Sequence, residues 1–359
     1  MGILSTQTVD SLRTKIDSVT SKPDGVPGLV AVVVDSTGEN VFEYASGKRG
    51  LASAELMTTD TVFWVASCTK MITSIAAMQL VEQGRLVLDD VEFIERVAPE
   101  LKDVKVLEED PDGSLRLVEK KEGITLRMLL SHTAGFSYSV FNSKLKRWLE
   151  PVGADEVSPF ADILSQPLVN QPGSKWEYGI NIDWVGEIIM RTSGLALEDY
   201  FQQYLFAPLG IKDISLFPSA DMKRRLSYMH QRAPDGKVSL REDGHVMKWS
   251  LRVETPEDKK AVFNNGGSGC FAALGDFCKP HEQAQGWAFL GFLNIHVTPT
   301  GRGPRSIWWT GASNQFWWID PEHGIGGIVG AQIFPMGDLD VATTWSDIET
   351  TIFNSLACN

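Results

Sequence analysis

Ser67 and Lys70 lie three residues apart in the run from Val65 to Met71, and this spacing places both side chains on one face of a helix. The apolar residues that follow predict such a helix, which ends at Gly84. The serine would then lie at the helix N-terminus, where free backbone N–H groups and the helix dipole favour negative charge. Because a lysine one turn along can accept the serine's proton, the pair is a candidate for nucleophilic catalysis without histidine.

A second serine and lysine with the same spacing, Ser143 and Lys146, lie in a polar stretch with no apolar helix behind them. We interpret this second pair as surface residues. The first pair is the stronger candidate because the apolar segment 63–66 precedes it and a long apolar helix follows it.

Two further residues have side chains that could move a proton. Tyr178 follows the loop 171–177 and precedes a predicted helix from Trp184 to Arg191. A tyrosine beside a lysine ammonium can act as a general base, although a packed ring is the simpler interpretation of an isolated tyrosine. His132, in a turn that ends at Gly135, could also be a base, but we favour a hydrogen bond within the turn.

The segment from Trp308 to Ser313 runs along or off a predicted strand. Gly311 removes side-chain bulk at a point where a ligand or a backbone must come close. Backbone N–H groups there could supply one half of an oxyanion hole.

The elements that must position these residues come from both ends of the chain. Buried or alternating apolar runs predict strands at 28–35, 40–46, 287–294, 306–309, 314–320 and 324–333. Helices are predicted at 6–19 and 338–356, and residues 86–216 are predicted to be mainly helical. This order predicts a sheet built from both termini, with a helical lobe inserted between its strands.

Composition restricts the partners. The chain has 359 residues, 43% of them hydrophobic and 22% charged, which is ordinary for a soluble globular protein. The net charge of −13 argues against nucleic acid and anionic membrane surfaces. We see no apolar run that could span a bilayer and no secretory signal, and the four cysteines match no zinc or redox motif. We therefore expect free thiols and a cytoplasmic location.

In combination, these segments resemble the serine β-lactamase and penicillin-binding-protein superfamily. The nearest branch is the class C β-lactamase-like one, with family VIII esterases and the fungal acyltransferases of statin biosynthesis. The segments that carry the resemblance are Ser67–Lys70, Leu130–Gly135, Pro172-Gly173 with Tyr178, Gly266–Gly269 and Trp309–Gly311. The resemblance runs from about Val26 to the C-terminus, and its specificity lies in the order of the motifs.

The resemblance implies an α/β (α+β) fold in which an antiparallel sheet from the N- and C-terminal segments is flanked by helices. It implies a sheet domain of residues 1–66 plus 217–359 and a mainly helical lobe of residues 67–216, which together form one catalytic unit. It implies no cofactor and no metal, and the six histidines show no metal-ligand spacing.

The resemblance also implies a mechanism. Ser67 would attack an ester or thioester carbonyl, and Lys70 and Tyr178 would share the proton transfers. The N–H groups of Ser67 and Ala312 would stabilise the oxyanion. Candidate pocket residues, for which core packing is the alternative, are Trp309, Thr310, Gly311, Phe136, Trp308, Trp317 and Trp318.

Three departures from the family pattern affect the expected substrate. Trp309 stands where β-lactamases have a cation for the β-lactam carboxylate, so penicillin-type substrates are doubtful. Ile180 stands where the second motif has its asparagine, and Asn181 comes one place late. The stretch between Phe271 and Trp287 is short, and relatives usually have several more helices there.

We therefore predict a serine carboxylesterase or acyltransferase that acts on small ester or thioester substrates through an acyl-enzyme. An acyl carrier protein is a further candidate partner, and the oligomeric state is open. The alternatives are a β-lactamase or D-amino-acid peptidase, and a non-catalytic binding protein on the same fold.

Overall fold

A computed structural model describes residues 4–153, 156–159, 161–278 and 291–357. Its strands are β1 Gly28–Asp35, β2 Asn40–Gly47, β3 Val62–Trp64, β4 Val106–Glu109, β5 Leu115–Val118, β6 Ile214–Ser215, β7 His230–Arg232, β8 Val238–Leu240, β9 Phe271–Ala273, β10 Phe292–Leu293, β11 Ile307–Gly311, β12 Gln315–Asp320, β13 Ile325–Gly330 and β14 Ile333–Phe334.

Its α-helices are α1 Thr6–Ser21, α2 Thr69–Glu82, α3 Val91–Val97, α4 Glu100–Asp103, α5 Leu126–Leu130, α6 Ser143–Leu149, α7 Asn181–Ser193, α8 Leu197–Phe201, α9 Ala207–Leu209, α10 Ala220–Arg224, α11 Lys248–Arg252, α12 Pro256–Ala261, α13 Leu274–Phe277 and α14 Leu339–Ala357. Short 3₁₀ turns span Ala66–Cys68, Glu150–Val152 and Ala161–Ser165, and a π-helical turn spans Gln202–Phe206.

The main sheet has six antiparallel strands in the order β10-β11-β12-β13-β1-β2. Strands from the two ends of the chain therefore lie side by side, as predicted. The register pairs Val32 with Ile328 across β1 and β13, and Trp309 with Trp317 across β11 and β12. The predicted strand at 287–294 falls mostly outside the described residues, and only β10 at its end is described.

Strand β1 is buried on both faces, which explains its unbroken apolar sequence. Because side chains alternate along a strand, Val30 and Val32 enter one core and Leu29 and Ala31 enter another. The first, here the inner core, packs the sheet against α2, α5 and α7. The second, the outer core, packs it against the terminal helices α1 and α14.

The middle of the chain contains short strands as well as the predicted helices. Residues 86–216 contain the hairpin β4–β5 and the strand β6 as well as helices. The apolar segment before Ser67 forms β3, which joins β9 and β6 in a separate three-stranded sheet. These strands have two to four residues, too few for a clear alternating pattern. The division into a sheet domain and a helical lobe stays a proposal, and the inner core is continuous across both parts.

Candidate active site

Ser67 lies in the 3₁₀ turn Ala66–Cys68, which leads directly into α2. The helix therefore begins two residues after the serine. Ala66 has a φ of +45°, a conformation that costs a non-glycine residue on the order of 1–3 kcal/mol. Ser67 is half-buried, whereas its neighbours Ala66 and Cys68 are fully buried. The strained turn thus leaves the serine side chain partly accessible between two buried neighbours.

The structure brings together the three residues expected to do the chemistry. Lys70 Nζ donates a hydrogen bond to Ser67 Oγ at 3.1 Å, and the Tyr178 hydroxyl donates to the same oxygen at 2.7 Å. Lys70 Nζ also lies 4.7 Å from the centre of the Tyr178 ring. The serine oxygen is therefore within proton-transfer distance of both candidate bases.

Lys70 has two further partners, one of which lies in the glycine-rich segment Gly266–Gly269. Its Nζ donates to the Tyr138 hydroxyl at 3.2 Å and to the carbonyl oxygen of Gly267 at 2.8 Å. Burial raises the pKa of Tyr138 well above its usual value, and nearby negative charges, with Asp183 first among them, raise it further. At ordinary pH Tyr138 is thus a neutral hydroxyl beside the lysine.

The turn after α5 holds the Tyr178 loop in place. The carbonyl oxygen of His132 accepts a hydrogen bond from the backbone N–H of Glu177 at 2.8 Å. Gly179 packs so closely on Ser137 that a Cβ there would lie 2.3 Å from the Ser137 Cα. The segment Leu130–Gly135 therefore helps to fix the backbone directly before Tyr178.

His132 is paired away from the nucleophile. Its Nδ1 lies 3.0 Å from Nδ2 of Asn181, which requires Nδ1 to be the acceptor. Burial lowers the pKa of His132 well below its usual value, and the charge of Lys70 acts in the same direction. The ring is thus neutral, and its centre lies 4.9 Å from the Tyr178 ring. Asn181 is fully buried in this contact, so the displaced asparagine supports the turn.

The end of β11 lies against the turn that carries Ser67. A Cβ on Gly311 would lie 2.6 Å from the carbonyl oxygen of Val65 and 3.4 Å from Sγ of Cys68. Ser313 Oγ donates to the carbonyl oxygen of Trp64 at 3.0 Å. Among the described residues, no hydrogen-bond acceptor is seen for the backbone N–H of Ser67 or of Ala312. Both groups stay candidate oxyanion donors.

The tryptophans of β11 point to opposite faces of the sheet. The ring of Trp309 lies on the inner-core side, 5.1 Å from the Tyr178 ring, so it borders the candidate site. Trp308 packs in the outer core, 5.6 Å from Trp345 of α14. The expectation that Trp308 lines the pocket is not met by this placement, because successive strand residues face opposite ways.

Most of the remaining candidate pocket residues are buried in the core. Phe136 is completely buried and stacks on Trp184, so its side chain does not face the site. Trp317 and Trp318 are also core residues, one on each face of the sheet. The hydroxyl of Thr310 donates to the carbonyl oxygen of Gly311 at 3.2 Å.

Exposed aromatic rings continue the wall that Trp309 begins. Trp176 stacks on Tyr178 with ring centres 6.1 Å apart, and Phe141 lies 5.9 Å from Tyr178 on another side. Phe292 of β10 contacts both Trp176 and Trp309. The surface around the serine is therefore aromatic, and the spacing of these residues in the sequence gave no sign of it.

A cavity of about 470 Å³ lies beside α6 and borders the aromatic surface around Ser67. Its charged lining residues already have partners. Lys144 donates to the carbonyl oxygens of Leu107 and Val169, and Glu108 and Glu109 pair with Arg116 and Arg147. Only Phe141 belongs both to its wall and to the aromatic surface around Ser67.

An antiparallel sheet between two layers of helices, with a serine and lysine at the start of a buried helix, defines a protein of the β-lactamase/transpeptidase-like fold. The chain belongs to the Beta-lactamase family, whose profile matches residues 16–350.

Known relatives agree with this assignment. Monacolin J acid methylbutanoyltransferase of Aspergillus terreus is 35% identical over 266 residues, which cover 71% of this chain and 60% of that protein. Lovastatin esterase of Penicillium rubens is 28% identical over 365 residues, covering 88% and 91%. The alignment thus spans about three fifths of the length of the curated relatives that it matches first.

Solved structures show the same fold. Unliganded simvastatin synthase (LovD) from Aspergillus terreus superposes with a TM-score of 0.81 at 25% identity, covering 99% of this chain and all of that one. EstCE1, a hydrolase with promiscuous acyltransferase activity, superposes with a TM-score of 0.77 at 19% identity.

Within the described residues, none of the helices combines the length and apolar composition that crossing a membrane requires. The predicted cytoplasmic location stays a prediction.

Proposed function

We propose that this chain is a serine-dependent acyltransferase or carboxylesterase that acts on small ester or thioester substrates through an acyl-enzyme. The observation that carries the proposal is the convergence of Lys70 Nζ and the Tyr178 hydroxyl on Ser67 Oγ, at 3.1 and 2.7 Å. The names of the relatives, which include acyltransferases and an esterase, support the same class of reaction.

The proposed reaction has two halves. In the reactive form the Lys70 ammonium stabilises Tyr178 as a phenolate. Ser67 Oγ forms a bond to the acyl carbon while its proton passes to that phenolate oxygen, and the carbonyl oxygen gains a negative charge. The N–H groups of Ser67 and Ala312 stabilise that charge. The carbonyl then re-forms as the bond between the acyl carbon and the leaving alcohol or thiol breaks, and the leaving group takes up the proton. Water or an acceptor alcohol then attacks the acyl-enzyme by the same steps in reverse.

The surroundings of the serine favour apolar substrates. Trp309 contributes a neutral ring where a β-lactamase would have a cation, which disfavours a substrate carboxylate at that position. Its indole N–H is buried and has no partner among the described residues, so the ring offers the site its apolar edge and face. Phe141, Trp176 and Phe292 would border the bound acyl group or alcohol.

The nucleophile is tested with p-nitrophenyl butyrate. We expect Ser67→Ala to reduce turnover by at least about a thousandfold, and Lys70→Ala and Tyr178→Phe by at least about a hundredfold each. Circular dichroism checks that the variants are folded. Ser143→Ala, in the second serine–lysine pair, is the matched control and should keep wild-type turnover. Turnover by Ser67→Ala at the wild-type rate would refute the assignment.

The second half-reaction is tested with the same ester and a panel of alcohols. We expect apolar alcohols to compete with water for the acyl-enzyme, because an aromatic surface binds them more strongly than polar ones. Mass spectrometry distinguishes the new ester from the free acid. Free acid alone at every alcohol concentration would restrict the function to an esterase. An acyl carrier protein as acyl donor is a finer proposal that the same assay addresses with acylated carrier.

A further inference from the structure

A buried carboxylate lies close behind the proposed catalytic lysine. Asp183, at the start of α7, is 1% exposed, and its Oδ1 accepts a hydrogen bond from the N–H of Gly267 at 3.0 Å. The carbonyl oxygen of the same glycine accepts the hydrogen bond from Lys70 Nζ at 2.8 Å. Both backbone polar groups of Gly267 therefore join the carboxylate to the lysine.

The packing of Asp183 on Gly267 leaves no room for a side chain. A Cβ on Gly267 would lie 2.4 Å from Oδ2 and 2.8 Å from Cγ of Asp183. A larger residue at position 267 would therefore displace the carboxylate, the glycine carbonyl or both. The contact gives a specific physical reason for glycine at this position.

The buried Asp183 carboxylate destabilises the folded protein unless a positive charge lies nearby. Burying a carboxylate costs several kcal/mol, and Asp183 Oδ2 has no hydrogen-bond partner among the described residues. Burial raises the pKa of Asp183 to about 6, and the ammonium of Lys70 opposes this rise. The negative charge of Glu156 raises the pKa of Asp183 further. The charge of Asp183 in turn raises the pKa of Tyr138, which stays neutral.

We propose that Asp183 is a positioning residue for the acyl-transfer reaction: through Gly267, and by its negative charge, it holds the Lys70 ammonium against Ser67 and Tyr138. The inference rests on the proposed function, because it assigns Asp183 a role in that chemistry. The carboxylate does not touch the reacting atoms. It acts only through Lys70.

The decisive variant is Asp183→Asn, which keeps an oxygen acceptor for the Gly267 N–H but removes the charge. We expect kcat for p-nitrophenyl butyrate to fall at least about tenfold at pH 8, with KM changed less than about threefold. The reason is that the charge acts on the lysine and leaves the substrate-binding surface unchanged. Glu198→Gln is the matched control, since it removes another buried carboxylate, one bonded to Ser215 and Leu216. This control should retain kcat within about twofold.

The pH profile separates this role from a merely structural one. Wild-type kcat/KM should fall as the pH drops through about 6, because protonation of Asp183 removes the charge that holds Lys70. The pKa of His132 lies well below 6.5, so that residue does not account for a limb at this pH. In Asp183→Asn the limb near pH 6 should be absent.

Each outcome has one meaning. A wild-type profile that is flat between pH 5 and 7 overturns the inference without any variant, and so does an Asp183→Asn enzyme with wild-type kcat and the same acid limb. In either case the proposed function stands if Ser67→Ala is inactive. A wild-type protein that neither turns over esters nor is labelled at Ser67 by a fluorophosphonate overturns both.

Discussion

At the scale of single residues, the burial of the Asp183 carboxylate that should position Lys70 is unfavourable for folding. Asp183 is buried, one of its oxygens has no hydrogen-bond partner within the part of the chain that the structure describes, and burial raises its pKa from 3.8 to about 6. Between these two values the folded protein binds a proton that the unfolded chain does not. The contribution of Asp183 to stability is therefore fully present below pH 4 and is lost as the pH rises through 6.

Asp183→Asn should remove this pH dependence. Relative to wild type, the variant's free energy of unfolding should rise by up to about 3 kcal/mol between pH 4 and pH 7, from a pKa difference of about two units. Urea unfolding followed by circular dichroism at the two pH values measures the difference. A difference between the proteins that does not change with pH would show that Asp183 titrates at its ordinary pKa.

At the scale of elements, the site is a junction between the end of β11 and the turn before α2. Gly311 is the residue of closest approach, with no space for a side chain between Val65 and Gln315. The two proposed oxyanion donors lie on the two sides of this junction, one on Ser67 and the other on Ala312. Their separation therefore depends on how closely the strand and the turn pack.

Gly311→Ala should open this junction. Its Cβ would lie 2.5 Å from Gln315 Oε1 and 2.6 Å from the Val65 carbonyl oxygen, so the strand must move. We expect kcat to fall about 10–1000-fold through loss of an aligned oxyanion donor. Gly275→Ala is the control, because its Cβ would meet only Glu43 Oε1 at 3.9 Å. Equal ester turnover by the two variants would argue against an oxyanion hole at this junction.

At the scale of the whole molecule, the two ends of the chain stabilise a sheet whose other face carries the site. Ile16 of α1 is completely buried in the outer core, where Val341, Ile348 and Ile352 of α14 are also buried. Lys15 and Asp347 form an ion pair between the same two helices at 2.7 Å. Ser67 and Lys70 lie beyond the opposite face of the sheet, so the outer core is separate from the proposed site.

Ile16→Ala should therefore destabilise the protein without changing its kinetics. We expect a loss of about 2–5 kcal/mol in the free energy of unfolding, from lost apolar contacts and the cavity left behind. At 20 °C kcat/KM should stay within about twofold of wild type while the protein is folded. Ser11→Ala, exposed on the same helix, is the control and should leave the denaturation midpoint unchanged. A kinetic defect in Ile16→Ala would show that the two cores are coupled.

Features that depend on local pattern were predictable from the amino-acid sequence. The apolar run of β1 predicted the strand Gly28–Asp35 with its observed bounds, and the terminal helices were predicted to within a few residues. The pairing of Ser67 with Lys70 followed from helical spacing, and Tyr178 was chosen from its loop and from the family resemblance. Each of these signals lies within a short stretch of chain.

The distant residues that surround Ser67 and Lys70 were not predictable in this way, because they are brought together by tertiary packing. Tyr138, Gly267 and Asp183 come from three separate segments, and no spacing relates them to Lys70. The structure also turned Trp308 and Trp309 to opposite faces, because the register of β11 in the sheet decides which of two adjacent rings faces α2. Hydrophobic pattern specifies elements, whereas the environment of a buried charge depends on how those elements pack.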